Sequence, residues 1–189
     1  MEAKKGRREM KKFELTTEFI TNAFGKKLFR IKALVEFGDV KAGELGGYVE
    51  KEGNVSQADN AWVYGDARVY GDACVSGNAR VSGNAWVSGN ARVYGDARVY
   101  GNAEVYGDAR VSGNADYALV QGFGTEFRCT TFYRGKNKKI MVNCGCFHGD
   151  LEGFRKQVKE TRNGKIAKEY LMIADLMEYH FTSEDSSDE

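Results

Sequence analysis

Apolar and polar positions alternate through most of this chain, and between residues 60 and 116 they do so with a fixed period. Val recurs at 63, 69, 75, 81, 87, 93, 99, 105 and 111, with Ala two residues before each Val and Gly two residues after it. Every unit reads Ala, a variable residue, Val, Tyr or Ser, Gly, Asn or Asp. Period two within Ala-x-Val-x predicts a short strand with Ala and Val on one face and the variable residues on the other. Gly followed by Asn or Asp predicts a corner, because these residues tolerate the left-handed backbone of a tight bend. Three such sides close a triangular coil of 18 residues, and successive coils stack as parallel strands ~4.8 Å apart. The register can be checked within the sequence. Stacked at intervals of 18, the residues after Val read Tyr64, Ser82, Tyr100 on one side, Tyr70, Ser88, Tyr106 on the next and Ser76, Tyr94, Ser112 on the third. Large and small alternate in every column, so each ring has room to lean over a small neighbour.

The repeat predicts about three regular coils. Val49 and Val55 keep the six-residue step and imply a rougher fourth coil; the step of eight from Val55 to Val63 predicts a bulge at "QADN". Around the coils the texture changes. Residues 1–12 read as a disordered basic tail and 182–189 as a disordered acidic one. In 13–44, "KFELT" and "KLFRIKALVEF" alternate as strands and predict a hairpin across "TNAFGKK". Residues 45–118 are the coils. Residues 119–181 read as two strands and two helices: "EFRCTTFYR" and "KKIMVNCGCF" flank the turn "GKNK", Asp150 is a candidate N-cap, and Gly164 a stop. The second helix places Ile166, Tyr170, Ile173, Leu176 and Met177 on one face. Short strand edges at both ends of a rod invite pairing with other chains, and the flanking segments are placed to cap them.

This pattern resembles the hexapeptide-repeat left-handed β-helix. The fold class it implies is an all-β solenoid core, a left-handed parallel β-helix of 18-residue triangular coils, with an N-terminal β-hairpin cap and a C-terminal ββαα module. Proteins of that fold commonly assemble as parallel trimers, so the resemblance implies a homo-oligomer, a trimer. The flanks "KKFELTTEF", "GELGGYVEKEGNVSQADNAWVYGDARVYG" and "TFYRGKNKKIMVNCGCFHGDLEGF" are similar to hexapeptide-repeat proteins of phages, prophages and gut bacteria. Those are often labelled transferases or polymer-forming proteins by fold analogy, which is a weak warrant because a fold does not fix a function.

Composition narrows the classes. The net charge is +1, which gives no general attraction to nucleic acid or membrane. No apolar run approaches the ~20 residues of a membrane span. The basic start is followed by no apolar segment and is not read as a secretory signal. Four Cys in no framework spacing fit a reducing compartment. The expectation is a cytoplasmic protein, in a bacterial host cell if phage-encoded.

The variable positions carry any chemistry. The residue after Ala is Trp62, Arg68, Cys74, Arg80, Trp86, Arg92, Arg98, Glu104, Arg110 and Asp116, all expected to face outward. Arg beside Trp and Tyr suits phosphate plus a stacked base. Against these five Arg stand the acids Asp66, Asp72, Asp96, Glu104, Asp108 and Asp116, so the rod is no basic stripe for duplex nucleic acid. Arg68, Arg98 and Arg110 each follow an Asp by two residues, a candidate local partner; Arg80 and Arg92 follow Asn and lack one. The candidate ligand-binding set is Arg80, Arg92, Arg98, Trp62, Trp86, Tyr94 and Tyr100. A plainly solvated or subunit-packing face is the competing reading. The resembling acyltransferases use a catalytic His on a coil, and residues 45–118 hold none; the two His are His148 and His180. No catalytic residue and no cofactor are assigned. A second cluster, Cys144, Cys146 and His148 with Cys129 on the partner strand, has the donor types of a zinc site. Its Cys-x-Cys spacing is poor for that, and buried structural Cys is the alternative.

The functional expectation is a non-catalytic binding protein of phage type whose oligomeric β-helix sequesters a small anionic, nucleotide-like host signal between subunits, as a counter-defence protein. An acyltransferase-like enzyme using acyl-CoA and a protein-binding or virion-associated scaffold are the alternatives.

Overall fold

The computed structural model describes residues 11–182. Its centre is a β-solenoid. Strand β3 (Leu45–Val49) opens it, and nine two-residue rungs follow: β4 (Trp62–Val63), β5 (Arg68–Val69), β6 (Cys74–Val75), β7 (Arg80–Val81), β8 (Trp86–Val87), β9 (Arg92–Val93), β10 (Arg98–Val99), β11 (Glu104–Val105) and β12 (Arg110–Val111). The rungs stack in parallel on three sides: β3, β5, β8 and β11 on the first, β6, β9 and β12 on the second, β4, β7 and β10 on the third. Trp62 pairs with Arg80 and Arg80 with Arg98, the 18-residue step the repeat predicts. Amides of one coil donate to carbonyls of the next, as from Arg80 to Ala97 at 2.9 Å and from Ser82 to Val99 at 2.9 Å. Every Val from 63 to 111 is wholly buried, as is each Ala paired with it except Ala73, which is 1% exposed. At about 1.5–3 kcal/mol per buried Val, these columns are the main driving force for the coil. The fourth coil is rougher, as expected: Val49 pairs with Val69 and Val55 with Val75, each a step two residues longer. The excess sits in the 56–60 corner, where Asp59 takes a φ of 60°.

Both ends are covered. Strands β1 (Phe13–Thr21) and β2 (Lys27–Ala33) form the expected hairpin, and β2 pairs antiparallel with β3, so the hairpin extends the first side of the solenoid. Lys11 and Lys12 belong to this cap and not to a disordered tail. Lys11 pairs with Glu52 at 2.7 Å, and buried Lys12 donates to the carbonyls of Ala58, Asp59 and Ala61 at 3.2, 3.3 and 2.8 Å. The bulged corner has no rung beneath it, and an ammonium satisfies the carbonyls left over. The rest of the basic and acidic tails, 1–10 and 183–189, lies outside the described residues; Thr182 closes the last helix.

The C-terminal module has more strand than its sequence suggests. Strands β13 (Tyr117–Phe123), β14 (Arg128–Arg134), β15 (Ile140–Cys144) and β16 (Phe147–Asp150) make one antiparallel sheet in that order, followed by α1 (Leu151–Thr161) and α2 (Gly164–Thr182). The segment "KKIMVNCGCF" is two strands, because Gly145 turns the chain with a φ of 61°. Asp150 caps α1 by accepting from the Gly153 amide at 2.9 Å. One face of the sheet closes the solenoid: Tyr117 and Tyr133 join its core, and the Thr131 hydroxyl accepts from the Glu104 amide at 3.0 Å. The other face packs Phe132 and Val142 against Leu151, Phe154, Ile173 and Met177 of the helices. Leu176, expected on the buried face of α2, is 59% exposed; Ala174 and Phe181 take the inner positions instead. No helix among the described residues is long and apolar enough to cross a membrane.

Candidate functional site

The residues singled out by pattern are divided among three sides of the coil. On the first side, register places Tyr48, Arg68, Trp86 and Glu104 in one outward column. The Arg68 guanidinium lies 5.1 Å from the centre of the Trp86 ring, and Glu104 accepts from the Asn143 amide at 2.6 Å. Trp86 is therefore half-buried under its own neighbours, a cation–π pair in a column already filled.

The third side carries Trp62, Arg80, Arg98 and Tyr100, and here two expectations are corrected. Trp62 is not outward and exposed but fully buried, edge-on to Phe13 at 5.8 Å and to Phe37 at 5.3 Å. In the first regular coil the outward position points under the N-terminal cap, so the indole becomes core. Arg80, expected to lack a local partner and to be open to an external anion, pairs with Asp39 at 2.7 Å, and the Tyr64 hydroxyl donates to the same carboxylate at 3.2 Å. The partner comes from 41 residues away, beyond the reach of any local pattern. Arg98 stays exposed, and Tyr100 is exposed with its ring edge against Tyr117 at 6.0 Å.

The corner acids do not neutralise the Arg that follows them. Among the described residues no carboxylate lies within 4 Å of Arg68, Arg98 or Arg110 in an ion pair. Asp96 and Asp108 instead accept from Asn78 and Asn90 of the preceding coil at 3.0 and 3.2 Å, as rungs of polar corner ladders.

The second side is the open one. Cys74, Arg92 and Arg110 stack in register, with Ser76, Tyr94 and Ser112 beside them. A shallow hollow of about 290 Å³ runs along Cys74, Ser76, Arg92, Tyr94 and Arg110. A second, of about 450 Å³, shares Tyr94 and Arg110 and continues over Arg134, Asn137 and Lys138 of the C-terminal sheet. Arg110 donates to the carbonyls of Asn90 at 3.1 Å and Ala109 at 2.9 Å, which fixes its guanidinium along the coil. Arg134 is balanced by Asp116 at 2.9 Å. Burial alone would raise the Asp116 carboxyl, but hydrogen bonds from the Ser112 hydroxyl and the Ser112 and Gly113 amides, with Arg134 nearby, hold it below the usual range. Arg92, Arg110 and Lys138 have no carboxylate within ion-pair distance among the described residues. Tyr94, 39% exposed, offers an open ring between them. Arg110 is legible from the 18-residue register. Arg134 and Lys138 are not, because only the docking of the sheet brings them to this face.

The supposed metal cluster is split by the sheet. His148 stacks on Tyr106 with ring centres 4.4 Å apart, on the solenoid face, and burial lowers its pKa. Cys144 packs with the helix-side core and accepts from the Thr130 hydroxyl at 3.1 Å, while Cys146 sits in the turn. The Cys129 thiol is pushed up to about 11, first by burial and then by the charge of Glu104. Cys144, Cys146 and His148 do not share a strand face, because the chain reverses between them. Among the described residues no three His, Cys, Asp or Glu side chains gather where they would hold a metal.

Within the coils, residues 73–89, 85–101 and 91–104 match the YdcK beta solenoid repeat. This is a β-solenoid protein. The matched repeats include β6 and β9 of the open side, while β12 with Arg110 lies beyond them. No curated protein matches the chain.

Proposed function

We propose that this β-solenoid is a non-catalytic binding protein that holds a small phosphate-bearing ligand of nucleotide type on its second side. The observation that carries this is Arg92 directly over Arg110 in adjacent rungs, with no carboxylate partner among the described residues and the Tyr94 ring beside them. Like charges in neighbouring rungs repel, and an anion between them turns that cost into charge-assisted hydrogen bonds. The ring supplies a stacking surface for a base. Residues 45–118 offer no His as a general base, and the one His near the coil end is packed on Tyr106, which favours affinity over turnover. The resemblance to phage proteins supplies the biological use: sequestration of a host signalling nucleotide. The same resemblance underlies our reading of the working unit as a homotrimer, for which exposed Tyr100 on the third side is a contact candidate.

Calorimetry with cyclic and ADP-ribose-type nucleotides tests the reading. Binding by the wild type, weakened at least tenfold in an Arg92→Ala, Arg110→Ala double variant and unchanged in Arg80→Ala, is the expected result. No binding across the panel overturns the ligand assignment, and equal loss in Arg80→Ala overturns the choice of side. Light scattering on the same samples reports whether the particle has three chains.

A further inference from the structure

The C-terminal module contains a cavity that the solenoid does not use. It measures about 290 Å³ and lies between the β13–β14 turn, the β15–β16 hairpin, the end of α1 and the middle of α2. Its floor is apolar, made by Phe147, Phe154 and Val158; the last two are 3% exposed. Its rim carries two guanidinium groups, Arg128 and Arg162, and neither pairs with a carboxylate among the described residues. Among the described residues the Arg162 guanidinium makes one long hydrogen bond, 3.4 Å, to the carbonyl of Thr161. Arg128 lies across the hairpin turn so closely that a side chain at Gly145 would meet its Nη1 at 2.5 Å. The glycine thus does two things: it turns the chain at positive φ and leaves the guanidinium room to reach the rim. Tyr170 closes one wall, its hydroxyl donating to the Phe123 carbonyl at 3.3 Å. One acid, Glu126, stands at the rim against the two Arg.

We propose that this cavity is a second binding site, distinct from the nucleotide-type site, and that it takes a small organic carboxylate with a compact apolar body. Size sets the first limit, since the volume is at the lower end of the ~300–1,000 Å³ of small-molecule pockets. Charge sets the second. Two guanidinium groups and one carboxylate leave a single net positive charge, which matches a monoanion. Geometry sets the third. A carboxylate accepts the paired N–H groups of a guanidinium fork, while its hydrocarbon part covers Phe154 and Val158.

The experiment titrates the full chain with benzoate, benzyl alcohol, acetate and phenyl phosphate, by calorimetry and by the alkylation rate of Cys146, which lines the cavity and is exposed. The proposal expects saturable benzoate binding that slows Cys146 alkylation at least threefold. It expects acetate and benzyl alcohol to bind at least tenfold more weakly, for want of the apolar body and the charge respectively. Arg128→Ala with Arg162→Ala, checked for native circular dichroism, should lose the benzoate effect. Arg92→Ala with Arg110→Ala should keep it, which separates this site from the nucleotide-type site. Absence of saturable benzoate binding, tighter binding of phenyl phosphate, or full benzoate protection in the Arg128, Arg162 variant each overturns the proposal.

Discussion

Lys12 shows how one side chain ties the first strand to the coils. Its ammonium is buried against three carbonyls, and burial pushes its pKa down to about 8, with the charge of Asp59 opposing. The unfolded chain keeps the ordinary value of 10.5. Between those values the unfolded state binds more protons, so this group makes stability rise with pH across that window, by about 1 kcal/mol per pH unit at most. Below pH 8 both states are charged and the burial cost is complete. Denaturant unfolding at several pH values should show the wild type gaining stability relative to Lys12→Met from pH 8 to 10.5; a constant difference refutes the shift. Gly95 is the counterpart in the corners. It sits at a φ of 62°, and a Cβ there would meet the Ser112 carbonyl oxygen at 2.5 Å. Gly95→Ala adds left-handed strain to a backbone clash, for a loss of about 2–3 kcal/mol in thermal unfolding. Gly113, with no neighbour within 4 Å of a Cβ and no positive φ, should accept Ala with little change.

Elements were legible where their geometry repeats and opaque where one element meets another. The rungs, corners and 18-residue register follow from local backbone preferences reinforced at every coil, so Val63 to Val111 could be placed from sequence alone. Trp62 and Arg80 could not, since each owes its surroundings to the N-terminal cap: Phe13 and Phe37 for the indole, Asp39 for the guanidinium. Strand β14 marks the same boundary at the other end. Alternation told that it has two faces, but not that both are buried, Tyr133 in the solenoid and Phe132 among the helices. Neither side chain has any exposed surface. Tyr133→Ala should therefore open a cavity at the last coil and cost about 3–5 kcal/mol, read from the denaturation midpoint. A cost below 1 kcal/mol would mean that the sheet rests on the coil without being packed into it.

At the scale of the whole molecule, the caps decide that the solenoid ends. Each rung hands its amides and carbonyls to the next coil, and nothing in the repeat itself stops the stacking. What stops it is the change of partner. The Glu104 amide finds the Thr131 hydroxyl, the Lys136 amide finds the Asp108 carbonyl, and Tyr117 and Tyr133 cover the last Val residues. The same docking brings Arg134 and Lys138 beside Arg110, so the cap that terminates the rod also completes its open face. A chain ending at Asp116 would keep every rung and lose that cover. Its last coil would present a bare parallel edge and exposed Val side chains, the template on which another chain adds. Such a chain should form larger species that grow with concentration in light scattering, while the full chain holds one mass over the same range. If the shortened chain keeps the β-sheet circular dichroism and also a fixed mass, the C-terminal sheet is dispensable as a stop and its docking serves the face beside Arg110 alone.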